Sequence, residues 1–193
     1  MGKSLQHAVI VLAAGASRRL GTAKQLLILD GESLINRTIR IAQATEPAQT
    51  IVVLGARADE IALTVTHQTI DYVHCADWEA GMSASLKRGI QKVNSECEGA
   101  LVLLCDQPTL SASHLDALLN AWYRQPDRAV ASAYANTVGV PAMLPRSWFV
   151  RLSHVLGDQG ARELLRRDPT VLRVESPRLE HDVDSPQDLR KNT

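Results

Sequence analysis

Ala8, Val9, Ile10, Val11 and Leu12 form an unbroken apolar run that passes directly into a glycine-containing basic loop. A short run with no polar alternation suits a strand buried on both faces. Such strands belong to sheets covered by helices on both sides. The rest of the chain is therefore required to supply amphipathic helices between further strands. It does so in alternation. Strands are expected over 8–12, 50–54, 70–75, 100–105, 129–133 and 170–175. Helices are expected over 34–44, 59–66, 83–93, 159–167 and 185–190, with another that Ser111 caps and that runs through Tyr123. A looser region is expected around Gly139, Val140 and Pro141. Ser185, Pro186 and Asp188 make a good helix start, with a serine cap, proline in the first turn and an acid beside it. The pattern predicts an α/β fold with a mostly parallel central sheet flanked by helices. No linker or internal repeat divides the 193 residues, so one domain over 1–193 is expected.

In such sheets ligands sit at the carboxyl ends of the strands. The loop after the first strand contains Ala13, Ala14, Gly15, Ala16, Ser17, Arg18, Arg19, Leu20 and Gly21, with Lys24 beyond. Small residues and Gly15 let backbone approach a ligand closely, and free N–H groups in such a turn cradle phosphate oxygens. Arg18 and Lys24 add positive charge where a triphosphate needs it. Two other phosphate loops do not fit. Five residues separate Gly15 from Gly21, and Lys24 is not adjacent to Gly21, so this is not a Walker A loop. Position 13 is alanine, so the dinucleotide fingerprint fails as well. An ordinary strand–helix turn with solvated arginines is the plainer alternative.

Asp106 follows the most apolar strand, on the same expected edge as Gly15. A carboxylate there can hold Mg²⁺, which binds through one or two carboxylates plus substrate phosphates. It can equally be a turn aspartate, since Pro108 follows closely. Asp182 and Asp184 flank Val183 and share one face of an extended segment. One of them could complete a metal site, or both could simply mark a polar chain end. Gly81 and Ser83 open a helix whose N-terminus offers N–H groups and partial positive charge, with Ser83 a possible cap and Ser85 a possible hydroxyl toward a ligand. Gly139 and Pro141 could place backbone beside a ligand, and Arg162 could reach an anionic substrate. Plain turns would account for both segments. The histidines show no metal-ligand spacing and are expected on the surface or in packing. Trp78, Trp122 and Trp148 are expected in the core or facing a partner.

Composition narrows the classes. Lys+Arg and Asp+Glu both total 21, which argues against a large nucleic-acid or anionic-membrane footprint. No apolar run approaches the ~20 residues that span a bilayer. The first residues lead into the first strand with no separate signal region, and the three cysteines form no C-x-x-C. A cytoplasmic location without disulfides or structural zinc is expected.

Taken in order, these segments resemble the molybdenum cofactor cytidylyltransferases (MocA-like) among the MobA-like nucleotidyltransferases. The resemblance runs over nearly the whole chain. It rests on Leu12 to Gly21 with Lys24, on Gly81-Met82-Ser83-Ala84-Ser85-Leu86, and on Asp106-Gln107-Pro108. Gly139-Val140-Pro141, Gly157-Asp158-Gln159-Gly160-Ala161-Arg162 and Asp182 to Leu189 extend it. Leu20 stands where the family usually has methionine. The resemblance implies a Rossmann-like nucleotidyltransferase fold. It also implies CTP over Leu12, Ala13, Ala14 and Gly15, with contributions from Gly81, Ser83 and Ser85. Arg18 and Lys24 would then contact phosphates, and Asp106 with Asp184 would hold Mg²⁺. The implied acceptor is molybdopterin or molybdenum cofactor, near Gly139, Pro141, Arg162 and Asp182. A molybdoenzyme or accessory protein is the implied partner. Alanine at position 14, rather than a second glycine, resembles cytidine selection.

Overall fold

The computed structural model describes residues 5–17, 20–155, 157, 160–180 and 188. Strand β1 (His7–Ala13) is buried along its whole length. Two minor strands, β2 (Ile28–Leu29) and β3 (Glu32–Ser33), pair as a short hairpin. Helix α1 (Leu34–Gln43) follows, its N-terminus capped by the Ser33 hydroxyl, which accepts from the Asn36 N–H. Then come β4 (Gln49–Leu54), α2 (Ala58–Thr64), β5 (Asp71–His74), α3 (Met82–Lys92) and β6 (Gly99–Leu104). Helix α4 (Ala112–Arg124) is capped by Ser111 as expected. The chain continues through β7 (Val130–Tyr134), β8 (Thr137–Pro145), α5 (Phe149–Ser153), α6 (Arg162–Arg167) and β9 (Leu172–Glu175).

The main sheet has the order β5-β4-β1-β6-β8-β7-β9. Strands β5, β4, β1 and β6 are mutually parallel, β8 runs against both neighbours, and β9 is parallel to β7. This is the mostly parallel, Rossmann-like α/β sheet expected. The continuous apolar character of β1 has a direct cause. Ile10 and Leu12 join the core containing Leu86, Ile90 and Trp148, whereas Val9 and Val11 join the one containing Ile35, Leu115 and Trp122. Period-two alternation thus feeds two hydrophobic layers, and neither face of β1 can be polar. Helix α3 approaches β1 so closely that a Cβ on Gly89 would stand 2.6 Å from Ile10 Cγ2. No helix among the described residues is long and apolar enough to cross a membrane.

Two expectations are corrected. The region around Gly139–Pro141 is part of the nine-residue strand β8. Glycine and proline hid it because Pro141 lacks an N–H for a ladder. The pairing with β7 passes from Ala131↔Ala142 to Ser132↔Gly139, so Val140 and Pro141 fall in a bulge, where proline is tolerated. Helix α6 begins at Arg162 rather than 159, since Gly160 has φ +54°, outside helical backbone. The expected helix over 185–190 lies outside the described residues, apart from Asp188.

The strand order places the site. From β1 the chain builds outward through β4 to β5, then returns to lay β6 on the other side of β1. The carboxyl ends of β1 and β6 are therefore neighbours at a switch point, where a crevice opens. Leu12 pairs with Leu104, which brings the loop after Ala13 beside Asp106.

Candidate active site at the β1–β6 crevice

A cavity of about 500 Å³ opens there. Leu12, Ala14, Gly15, Ala16, Ser17 and Lys24 line it from the loop, and Leu104, Cys105 and Asp106 from the end of β6. Gly81, Met82 and Ser85 line it from the start of α3.

The loop is held by a small set of hydrogen bonds. Ser17, at φ +51°, turns the chain, and its carbonyl accepts from the Leu20 N–H at 2.9 Å. Its hydroxyl accepts from the Lys24 N–H at 3.0 Å. The Gln25 amide donates to the carbonyls of Ala13 (2.9 Å) and Gly15 (3.0 Å). Gly15 itself has ordinary backbone, and a Cβ there would meet nothing within 4 Å. Its lack of a side chain therefore opens space on the cavity face rather than relieving strain. Below the loop the packing is tight: a Cβ on Gly55 would stand 2.7 Å from the Ala14 carbonyl oxygen and 2.7 Å from Trp78 Cβ.

Lys24 and Asp106 meet across the crevice, with Nζ donating to Oδ2 at 2.7 Å. Their side chains are 20% and 18% exposed, so the pair is shielded yet reachable. The other carboxylate oxygen, Oδ1, is buried without a hydrogen-bond partner. A buried carboxylate oxygen with nothing to accept from is costly, unless a cation or donor completes it. Among the described residues no group of three or more His, Cys, Asp or Glu could hold a metal. Asp106 alone, together with ligand phosphates, fits the sparse donor set of Mg²⁺. Burial and the Asp106 charge push the Cys105 thiol far above the ordinary range.

Other sequence-predicted residues fall variously. Ser85 lines the cavity, and its hydroxyl makes a long contact, 3.8 Å, to Cys75 Sγ. Ser83 does not cap α3. Gly81 occupies the N-cap, and no side chain bonds there. The Ser83 N–H is taken by the Gly157 carbonyl at 3.1 Å, and its hydroxyl is buried without a partner. A serine two positions past the N-cap cannot reach back to the first turn's donors. Ala13 offers the cavity no surface, since its carbonyl turns to Gln25. Gly139 and Pro141 are buried in β8, outside the cavity lining, and the Pro141 carbonyl accepts from Ser132 Oγ at 2.7 Å. They connect to the site through Gln107, which follows Asp106 and donates to the Val140 carbonyl at 3.1 Å. Arg162 is exposed at the start of α6, beside Gly160, whose absent side chain makes room for Met82. Arg18, Asp182 and Asp184 lie outside the described residues.

Sequence reasoning missed three contributors. Trp78 packs against the core, as expected, and with Glu79 also lines the cavity. Gln25 carried no signal beyond following Lys24. The other two tryptophans are core residues, as are His7 and His114. Burial lowers the pKa of both imidazoles.

A model of the MobA-like NTP transferase domain matches residues 9–172. The chain belongs to the MobA-like NTP transferase family. It is thus a nucleotidyltransferase, and the crevice lies where this fold binds its ligands. Among curated relatives, the purine catabolism protein PucB of Bacillus subtilis is 29% identical over 202 residues, covering 93% of this chain and 92% of PucB. The nicotine blue oxidoreductase of Paenarthrobacter nicotinovorans is 31% identical over 173 residues, covering 84% and 83%. Among solved structures, Rv0371c of Mycobacterium tuberculosis superposes with a TM-score of 0.84 at 29% identity, covering 98% of each chain. A manganese complex of Rv0371c superposes with a TM-score of 0.80 at 26% identity, covering 96% and 97%.

Proposed function

We propose that this transferase moves CMP from CTP to the terminal phosphate of molybdopterin and releases pyrophosphate. The observation that carries the reading is the Lys24–Asp106 pair under the Gly15 loop, with one carboxylate oxygen left buried and unpartnered. The nucleotide would lie over Leu12, Ala14 and Gly15, its phosphates toward Lys24 and Arg18. Asp106 would hold Mg²⁺, with Asp184 as the second carboxylate. The ion supplies charge neutralisation on the triphosphate.

The chemistry asks little more of the protein. An oxygen of the acceptor phosphate forms a bond to the α-phosphorus of CTP as the bond from that phosphorus to the bridging oxygen of the β-phosphate breaks. The nucleophile is already ionised at neutral pH, so no protein base is required. Lys24 stabilises the charge that gathers on the leaving pyrophosphate, and the loop orients the triphosphate for in-line displacement. Ala14 beside the base favours cytosine in this reading. Arg162 and Asp182 would serve the acceptor side, with Gly139 and Pro141 contributing only through the strand whose Val140 carbonyl accepts from Gln107.

The test is pyrophosphate release with Mg²⁺ and molybdopterin, comparing CTP, GTP, ATP and UTP. Release with CTP alone supports the reading. Release with GTP keeps the chemistry and overturns the base assignment. Release only with a sugar or alcohol phosphate as acceptor overturns molybdopterin. Tight molybdopterin binding without release from any nucleotide favours a delivery module instead.

A further inference from the structure

Gln25 is 3% exposed, in the middle of a short turn of 3₁₀ helix, and it borders the cavity. A buried glutamine is uncommon unless its amide is used. Here both hydrogen bonds leave from one atom: Nε2 donates to the carbonyls of Ala13 and Gly15. Two carbonyl oxygens can be satisfied only by the NH₂ end, so the amide orientation is fixed. The acceptor end, Oε1, is left buried without a partner. Glutamine is thus held here for its two donors, at the expense of its acceptor.

The consequence follows from peptide geometry. The Gly15–Ala16 peptide is trans, and in a planar trans peptide C=O and N–H point in opposite directions. With the Gly15 carbonyl tied to Gln25, the Ala16 N–H is turned the other way. Gly15 and Ala16 both line the cavity. We propose that Gln25 is a positioning residue that holds the Gly15 loop open for the triphosphate by tying back the Ala13 and Gly15 carbonyls, so that the Ala16 N–H faces the bound nucleotide. This rests on the reading of the crevice as the nucleotide site. Lys24, its neighbour, touches phosphate, whereas Gln25 acts only through the backbone it orients.

Two variants test it, each checked for folding by circular dichroism and each assayed for pyrophosphate release. Gln25→Met keeps the volume and removes both donors. The expected result is a KM for the nucleotide raised about tenfold or more with kcat within a few-fold, because the loop's contact is made alike in ground and transition states. Gln25→Glu gives a pH signature that packing loss cannot. Protonated, the carboxyl can still donate to one carbonyl; ionised, it repels both. Its KM should therefore lie near the wild-type value at pH 5.5 and rise about tenfold by pH 8, while the wild type shows no such rise. If Gln25→Met fails to fold, the Gln25→Glu profile decides. Unchanged KM in Gln25→Glu across that range, with an active wild type, overturns the proposal alone. A wild type that neither binds nor cleaves any nucleotide overturns the site reading and this proposal with it.

Discussion

Lys24 and Asp106 are 82 residues apart in the chain, yet their side chains touch at 2.7 Å. The contact exists because β1 and β6 lie side by side in register, so whatever follows each strand shares one crevice edge. Lys24 occupies the oxygen Oδ2 of Asp106 and leaves Oδ1 unmatched. A divalent ion on Asp106 would free the lysine to meet phosphate.

Replacing Asp106 with asparagine is expected to lower turnover by about a thousandfold or more, the scale of losing a key electrostatic group. Stability should change little, by about 1 kcal/mol, because the pair is partly exposed. Pyrophosphate release and a thermal melt separate the two effects. Wild-type turnover would remove Asp106 from the metal site.

Lys24→Met should raise the nucleotide KM by about 10- to 100-fold, the range for a charge-assisted hydrogen bond of about 1.5–3 kcal/mol. Steady-state kinetics with varied CTP checks this. An unaltered KM would count against phosphate contact by Lys24.

Gly15→Ala and Gly55→Ala form a contrasting pair. At Gly15 a Cβ meets nothing within 4 Å, so the variant should melt like the wild type while its methyl group intrudes on the ligand and raises KM. At Gly55 the new Cβ would press on the Ala14 backbone oxygen, so stability should fall by about 1–3 kcal/mol, the usual cost of overpacking. Equal melting temperatures for the two variants would contradict the packing described.

Acid should destabilise the protein partly through His7. Burial pushes its imidazole from 6.5 down to about 4. Between those values the unfolded chain takes up a proton that the folded chain refuses. Stability from this residue is therefore complete above about pH 6.5 and is lost as pH falls toward 4, by about 3 kcal/mol in all. Urea unfolding at pH 7.5 and 4.5 should show a smaller drop for His7→Gln than for the wild type. Equal drops in the two proteins would discharge His7 from that role.

The sequence made some of this legible and hid the rest for identifiable reasons. The unbroken apolar runs at β1 and β6 announced buried parallel strands, and that alone put Gly15, Lys24 and Asp106 on one edge. Ser111 capped its helix as its position suggested. Strand β8 was invisible because Gly139 and Pro141 are both strand-averse residues, and only the bulge against β7 lets them stay. Ser83 misled for the opposite reason. It is a good capping residue near a helix start, but Gly81 takes the N-cap, and the carbonyl of Gly157 supplies the missing acceptor. Gln25 and Glu79 left no trace because their roles depend on tertiary neighbours.

The reversed direction of β8 has a consequence for how such a protein can change over time. Running against β6, β8 meets the crevice edge with its beginning, so the turn that joins it to β7, at Ala135 and Asn136, sits on that edge. Both residues are exposed, with φ of +48° and +57°. A hairpin tip can lengthen, shorten or change sequence without moving β1 or β6. One half of the sheet can therefore be inherited almost intact while the other is revised. Lineages built on this plan are free to diverge first at that tip.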